Sequence, residues 1–218
     1  MRNRYLYYGY QSALQKTICD NYITWGENQL KEDKINNVDT TAMTLAGKDD
    51  MQRKGEVTFI NKPEIYDTAL SYIKDANENA GWKYEISSTE ALQFTVYREG
   101  DFCDWHSDGG SDNFSTYKKL IGEPVQDGSK YAESDMMIGK IRKLTLTINL
   151  SDGLNEYEGG DLYIKDDDGN EKLIEGFRNQ GSIVVFPSYT QHRISTVTKG
   201  TRYSMVLWCL GYPFKWDI

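Results

Sequence analysis

The stretch Tyr97-Arg98-Glu99-Gly100-Asp101-Phe102-Cys103-Asp104-Trp105-His106-Ser107-Asp108 places an imidazole and a carboxylate two residues apart. Side chains alternate with period two along a strand, so this spacing sets His106 and Asp108 on one face. The only other histidine is His192, at the head of Gln191-His192-Arg193-Ile194-Ser195-Thr196-Val197. Two imidazoles and one carboxylate are the ligand set of a non-haem Fe(II) facial triad, which leaves positions open for substrate and oxygen. Arg202 stands ten residues beyond His192, at the start of the apolar run 202–208. A fixed guanidinium there suits the far carboxylate of a dicarboxylic acid that chelates the iron. The constellation points to oxygenase chemistry.

Strands have to hold these groups. From Glu90 onward eight candidates follow one another: 92–98, 103–108, 143–150, 161–165, 172–174, 182–186, 192–197 and 202–210. Gly159-Gly160, Asp168-Gly169-Asn170, Pro187 and Lys199-Gly200 separate most of them as turns. Asp166–Asn170 lacks the flanking helices and twelfth-position Glu of a calcium loop, so it reads as a hairpin turn. Eight antiparallel strands without intervening helices predict a double-sheet jelly roll whose mouth holds a ligand. Gln93, Thr95 and Tyr97 alternate with Leu92, Phe94 and Val96, and Thr145, Thr147 and Asn149 with Leu144, Leu146 and Ile148. A polar interior face costs too much unless it lines a cavity, and Arg202, Ser204, Val206 and Trp208 share such a face.

The first ninety residues are different. Leu14, Ile18, Tyr22 and Trp25 predict a helix over about 12–25. Residues 31–54 are polar and read as a long loop; 57–60 reads as a strand. Pro63 opens a second helix with Ile65, Ala69, Tyr72, Ile73 and Ala76 as its buried stripe, and Gly81 ends it. The expectation is a mostly β, α+β chain: one domain over 1–218, with a helical part over about 1–89 packed on a jelly-roll core over about 90–211.

The 218 residues can bury one sizeable core. A charge content of 27%, sixteen tyrosines and a net charge of -8 describe a soluble folded chain and argue against a phosphate backbone as partner. Cys19, Cys103 and Cys209 are odd in number and lack metal-type spacing, which indicates reduced thiols in a cytoplasmic setting. The N-terminus has no apolar signal core and no run approaches a membrane span.

With these residues in view, the chain resembles the Fe(II)- and 2-oxoglutarate-dependent dioxygenases of the prolyl 4-hydroxylase type over about 40–211. The resemblance implies a double-stranded β-helix with N-terminal packing helices. It also implies Fe(II), 2-oxoglutarate and O2 as cofactors, with ascorbate as an optional reductant. The metal would be held by His106, Asp108 and His192, which form the catalytic centre. Arg202 matches the basic residue that binds the distal carboxylate of 2-oxoglutarate, where many collagen-type relatives carry Lys. Tyr97 opens the Tyr-x-x-Gly segment and matches a cosubstrate-binding tyrosine, and Asn149 falls where relatives place another cosubstrate contact, often a tyrosine. Arg142 matches a substrate-peptide arginine, and Trp208 an aromatic that walls the target proline.

The reaction so implied couples decarboxylation of 2-oxoglutarate to hydroxylation of an unactivated C–H bond, most simply a prolyl residue in a protein or peptide. The polar segment 109–141 reads as a lid. Hydroxylation of a free amino acid or other small molecule is the alternative enzyme reading, and a non-catalytic barrel sensing a metal or small acid is the alternative from another class. A nucleic-acid demethylase would carry a second arginine where Trp208 stands, and a halogenase would lack Asp108. Oligomeric state is left open by the sequence.

Overall fold

The computed structural model describes residues 5–42, 44–45, 51–110, 116–119 and 134–214. Much of 109–141, read above as a lid, lies outside them. The first half contains β1 (Tyr8–Tyr10), α1 (Lys16–Ile35), β2 (Thr44–Leu45), β3 (Met51–Lys54), β4 (Glu56–Ile60) and α2 (Pro63–Asn79). Next come β5 (Ser88–Thr89), β6 (Leu92–Tyr97), β7 (Phe102–His106), β8 (Ile141–Asn149), β9 (Tyr157–Gly159) and β10 (Leu162–Lys165). The last five strands are β11 (Glu171–Leu173), β12 (Ile183–Pro187), β13 (His192–Ile194), β14 (Val197–Gly200) and β15 (Arg202–Gly211). No helix among the described residues is long and apolar enough to cross a membrane.

Most of the strands form two antiparallel sheets. The major sheet runs β1-β12-β8-β15-β6-β4, with β5 also paired to β15; the minor sheet runs β11-β10-β13-β7-β3-β2, and β14 pairs with β9 alone. This is the double-stranded β-helix arrangement expected. Alternation decides how the major sheet is used. Leu92, Phe94, Val96, Leu144, Leu146, Ile148, Met205 and Leu207 form one apolar face. Against it lie Cys19, Tyr22 and Leu30 of α1 and Ile65, Ala69, Ile73 and Ala76 of α2. Each large side chain so buried contributes about 1.5–3 kcal/mol. That packing fixes the sheet and turns its polar face, with Gln93, Thr95, Thr145, Thr147 and Ser204, toward the minor sheet. One end of the space between the sheets is dry, filled by Leu162, Ile164, Ile174, Phe177, Val184 and Phe186.

Three local expectations are corrected. α1 starts at Lys16 rather than Ser12, whose φ of 46° is incompatible with a helix start, and continues through Gly26 to Ile35, with no proline to stop it and Gly26 and Leu30 buried on its packed face. Lys31–Lys54 therefore ends in strand and begins in helix, with β3 placed against β7. The predicted strand over 192–197 breaks after Ile194: the Ser195 hydroxyl accepts the Asp161 amide, and Thr196 O accepts the Gly160 amide. Both Gly159 and Gly160 have positive φ there, and a Cβ on Gly159 would lie 2.1 Å from Thr196 O. The Asp166–Asn170 segment is the hairpin turn between β10 and β11, closed by the Asp166 amide on Asn170 O.

The tightest helix–sheet contact is at Gly26, where a Cβ would stand 2.5 Å from the Phe94 ring. Gly26→Ala should lower stability by about 1–3 kcal/mol through overpacking, despite alanine's better helix propensity. Urea unfolding measures it, and an unchanged midpoint would contradict the packing described.

Candidate active site

β13 pairs with β7 so that His192 stands directly opposite His106, and their ring centroids are 4.2 Å apart. Asp108 is not on the strand, as the two-residue spacing predicted: β7 ends at His106 and Asp108 occupies the bend beyond it. Two contacts fix that bend. The Gly109 amide donates to Ser188 O at 2.9 Å, and the Thr145 hydroxyl donates to Asp108 Oδ2 at 2.8 Å. Asp108 Oδ1 then lies 3.7 Å from His106 Nε2, and Oδ2 lies 3.5 Å from His192 Nε2.

The tautomers follow from the partners. His106 Nδ1 donates to Asp104 O at 2.8 Å and His192 Nδ1 to Thr190 O at 3.0 Å. Both Nε2 atoms therefore face the carboxylate, and each offers a lone pair to a metal once it carries no proton. One ligand atom from each of the three side chains lies within 4.8 Å of the others. Metal–ligand bonds of about 2.1 Å place adjacent ligand atoms roughly 3 Å apart, so this set fits one divalent cation after a slight contraction.

Electrostatics favour an ionised Asp108 and a neutral His192, while His106 holds its proton more firmly. Burial works to raise the Asp108 pKa but is outweighed by His192, His106, Arg142 and the Thr145 hydroxyl, which bring it to about 2. Burial lowers the His192 pKa, with Asp108 pulling the other way. For His106 burial is overcome by the Cys103 sulfur, Asp108 and the Asp104 carbonyl, and the pKa rises to about 9.

Asp108 and both histidines open on a cavity of about 60 Å³ between the sheets, whose wall includes Tyr97, Thr147, Arg202 and Trp208. β15 sets Arg202 opposite Tyr97 of β6. Arg202 is 1% exposed, and its Nη1 donates to Ser204 Oγ at 3.2 Å. Its Nε and Nη2 have no hydrogen-bond partner among the described residues. Tyr97 is buried at its side, with 5.6 Å from Arg202 Cζ to the ring centre. A buried cation with two idle donors needs an acceptor, and a carboxylate fits the fork.

Asn149 shares this strand face but does not line the cavity. Its amide donates to Ser151 O and Arg178 O, and its carbonyl accepts from Tyr157. The side chain pins a loop, and alternation alone did not show how deep along the strand the cavity reaches.

Outside the metal cluster the cavity widens into a groove of about 550 Å³, bordered by Phe59, Glu90, Arg142 and Trp208. Arg142 lies over Trp208, 3.9 Å from Cζ to the ring centre, and Nη1 donates to Asp108 O at 3.3 Å. Glu90 accepts both Arg142 Nε and Nη2 and also the Tyr117 hydroxyl. Three residues of this site escaped the sequence reading. Glu90 is a single carboxylate without a pattern around it, Thr145 was visible only as one member of a polar face, and Arg53 lay in the stretch read as loop.

A double-stranded β-helix with an imidazole–carboxylate–imidazole cluster at its open end defines a class of metal-dependent oxygenases. Residues 92–210 match the model of the 2OG-Fe(II) oxygenase superfamily, and the chain belongs to that family. A PKHD-type hydroxylase of Idiomarina loihiensis is 36% identical over 86 residues, 38% of this chain and 38% of that protein. The match therefore spans well under half the length of this curated relative. The viral collagen prolyl hydroxylase of Paramecium bursaria Chlorella virus-1 superposes with a TM-score of 0.60 at 15% identity, covering 95% of this chain and 97% of that one. A prolyl-4-hydroxylase of Pseudomonas putida gives 0.58 at 16% identity, covering 94% and 91%. At such identities the two structures carry the fold.

The Glu90–Arg142 pair is largely buried, with 11% and 17% of the side chains exposed. Removing one partner of such a pair leaves a desolvated charge and costs about 3–5 kcal/mol. Glu90→Ala should approach that loss in chemical denaturation, and Glu90→Ala with Arg142→Met should recover most of it. Equal losses in both variants would contradict the pairing.

Proposed function

We propose that the protein is an Fe(II)- and 2-oxoglutarate-dependent hydroxylase whose substrate is a prolyl residue in a peptide or protein. The observation that carries the cosubstrate assignment is the Arg202 guanidinium, buried with two unpaired nitrogens in the cavity into which His106, Asp108 and His192 open. In this reading those three side chains hold the iron, Arg202 binds the distal carboxylate of 2-oxoglutarate, and Tyr97 donates to the cosubstrate from the adjacent strand. When bound, iron, 2-oxoglutarate and O2 together supply an oxidant able to hydroxylate an unactivated C–H bond, with succinate and carbon dioxide as co-products.

The chain's own residues do the positioning. Asp104 O and Thr190 O fix the two imidazole tautomers, and such outer partners raise ligand basicity and hold ring orientation. Thr145 keeps the Asp108 carboxylate turned toward both rings. Phe186 packs on His192, 4.7 Å between ring centres, and limits water on that side. Trp208 and Arg142 border both the metal end and the outer groove, the place for the target proline and its flanking backbone. The groove's size and its open course past Phe59 favour an extended peptide over a free amino acid.

Incubation with Fe(II), 2-oxoglutarate and proline-containing peptides should add one oxygen atom to proline by mass spectrometry, with succinate in equal amount. His106→Ala or His192→Ala should abolish both products, and turnover surviving either substitution would remove the ligand assignment. Oxygen gained only by a free amino acid would replace the peptide reading with the small-molecule one.

Metal uptake should also depend on pH. The metal competes with a proton for His106 Nε2, so below the His106 pKa of about 9 affinity rises with pH, by up to about tenfold per unit. Co(II) titrations followed by visible absorption at several pH values test this, and an affinity that is flat or falls from acid to neutral pH would contradict it.

A further inference from the structure

Phe59 is a large apolar side chain left in water beside the site. It is 52% exposed, and of the exposed large apolar side chains among the described residues it alone borders the outer groove. Its place follows from register. β4 is the last strand of the major sheet, next to β6. Phe59 stands opposite Gln93, Gln93 opposite Val206 of β15, and Val206 opposite Thr147 of β8. Residues opposite one another in neighbouring strands share a sheet face. The row Thr147–Val206–Gln93–Phe59 therefore lies on the face turned to the minor sheet. Its first three members line the inner cavity, and Gln93 and Phe59 line the groove. The row thus leads from the inner cavity to the edge of the sheet.

The groove does not stop at Phe59. A recess of about 340 Å³ shares Phe59, Glu90 and Ala91 with it and adds Tyr66 and Thr89. Glu90 is the one charged residue that lines this recess among the described residues, and its carboxylate is already held by Arg142 and Tyr117. The recess therefore offers an incoming side chain apolar surface and no free charge. Covering the Phe59 ring with an apolar side chain is favourable in proportion to the area both remove from water. Spacing places that side chain along the substrate. Val206 and Trp208 lie on β15, two strands from β4. At about 4.8 Å per strand the separation is roughly 10 Å, which an extended peptide covers in about three residues.

We infer that Phe59 is a specificity-determining residue that receives an apolar side chain of the substrate, about three residues along the peptide from the hydroxylated proline. The inference rests on the peptide reading above and narrows it, from any proline-containing peptide to those with an apolar residue at that separation.

Hydroxylation of a peptide series tests it. Each peptide carries one proline in a serine–glycine background, with a single leucine moved through the positions on either side. Mass spectrometry gives kcat and KM for wild type, Phe59→Ser and Phe59→Lys, with Fe(II) and 2-oxoglutarate saturating. Wild type should prefer leucine to serine by about tenfold at a position about three residues from the proline. The gain should lie in KM rather than kcat, since the contact is remote from the reacting atoms. Phe59→Ser should erase that preference, and Phe59→Lys should transfer it to glutamate at the same position. A half-exposed edge position tolerates both substitutions. Equal values for every leucine position in wild type would overturn the assignment, as would a leucine preference that persists in Phe59→Ser. So would a loss in Phe59→Ser that is the same for every peptide, with no transfer to glutamate in Phe59→Lys. A wild-type protein that takes up Fe(II) and 2-oxoglutarate but hydroxylates no peptide of the series would instead overturn the peptide reading itself, and this inference with it.

Discussion

The interior of this protein is arranged around a guanidinium that the protein itself does not neutralise. Arg202 is almost fully buried, its Ser204 contact occupies one nitrogen, and Nε and Nη2 have no partner among the described residues. An uncompensated cation in a low-dielectric interior is costly and is tolerated only where a ligand or water completes it. The wall of the same cavity holds one carboxylate, Asp108, already turned toward two imidazoles and the Thr145 hydroxyl. A dianion chelating a divalent cation there would also neutralise the arginine. That charge pattern, more than any single distance, supports the proposed role of the His106–Asp108–His192 cluster.

The apolar half of the molecule makes this possible. β6, β8 and β15 are hydrogen-bonded side by side, and one face of the three packs against α1 and α2. Because alternation is strict, fixing the apolar face fixes Tyr97, Thr145, Arg202 and Trp208 on the other. The minor sheet supplies the histidines through one cross-strand pair, His106 with His192. The geometry of the cluster is therefore set by the register of two sheets, each anchored by its own packing. The Arg142–Trp208 contact and its Glu90 partner extend this rigidity to the rim of the groove.

Much of this was legible in the residues. The Leu92–Tyr97 and Leu144–Asn149 alternations predicted a sheet with one apolar and one polar face, and the His-x-Asp spacing with the distal His192 and Arg202 marked the cluster and its counter-charge. What stayed hidden has physical reasons. Asn149 obeys the same alternation as Thr147, yet the cavity ends before it, since periodicity gives a face and not a depth. Asp108 reaches the histidines from a bend, a geometry made by Gly109, Ser188 and Thr145 that no local pattern encodes. Arg53 and the tail of α1 lie in a polar stretch whose order comes from tertiary pairing with β7 and β4 rather than from propensity. The break at Ser195–Thr196 depends on a side-chain contact with Asp161, distant in sequence. Glu90 matters only because Arg142 folds against it.

The central claim is that one small dicarboxylic acid bridges the metal cluster and Arg202. Anaerobic addition of 2-oxoglutarate to the Fe(II)-loaded protein, followed by visible absorption, tests it most directly. The account predicts a charge-transfer band that appears only when both iron and 2-oxoglutarate are present, and that needs far more 2-oxoglutarate in Arg202→Met. Iron uptake without that band, or a band formed at the same concentration in Arg202→Met, would contradict it and leave the family fold serving as a metal-binding sensor.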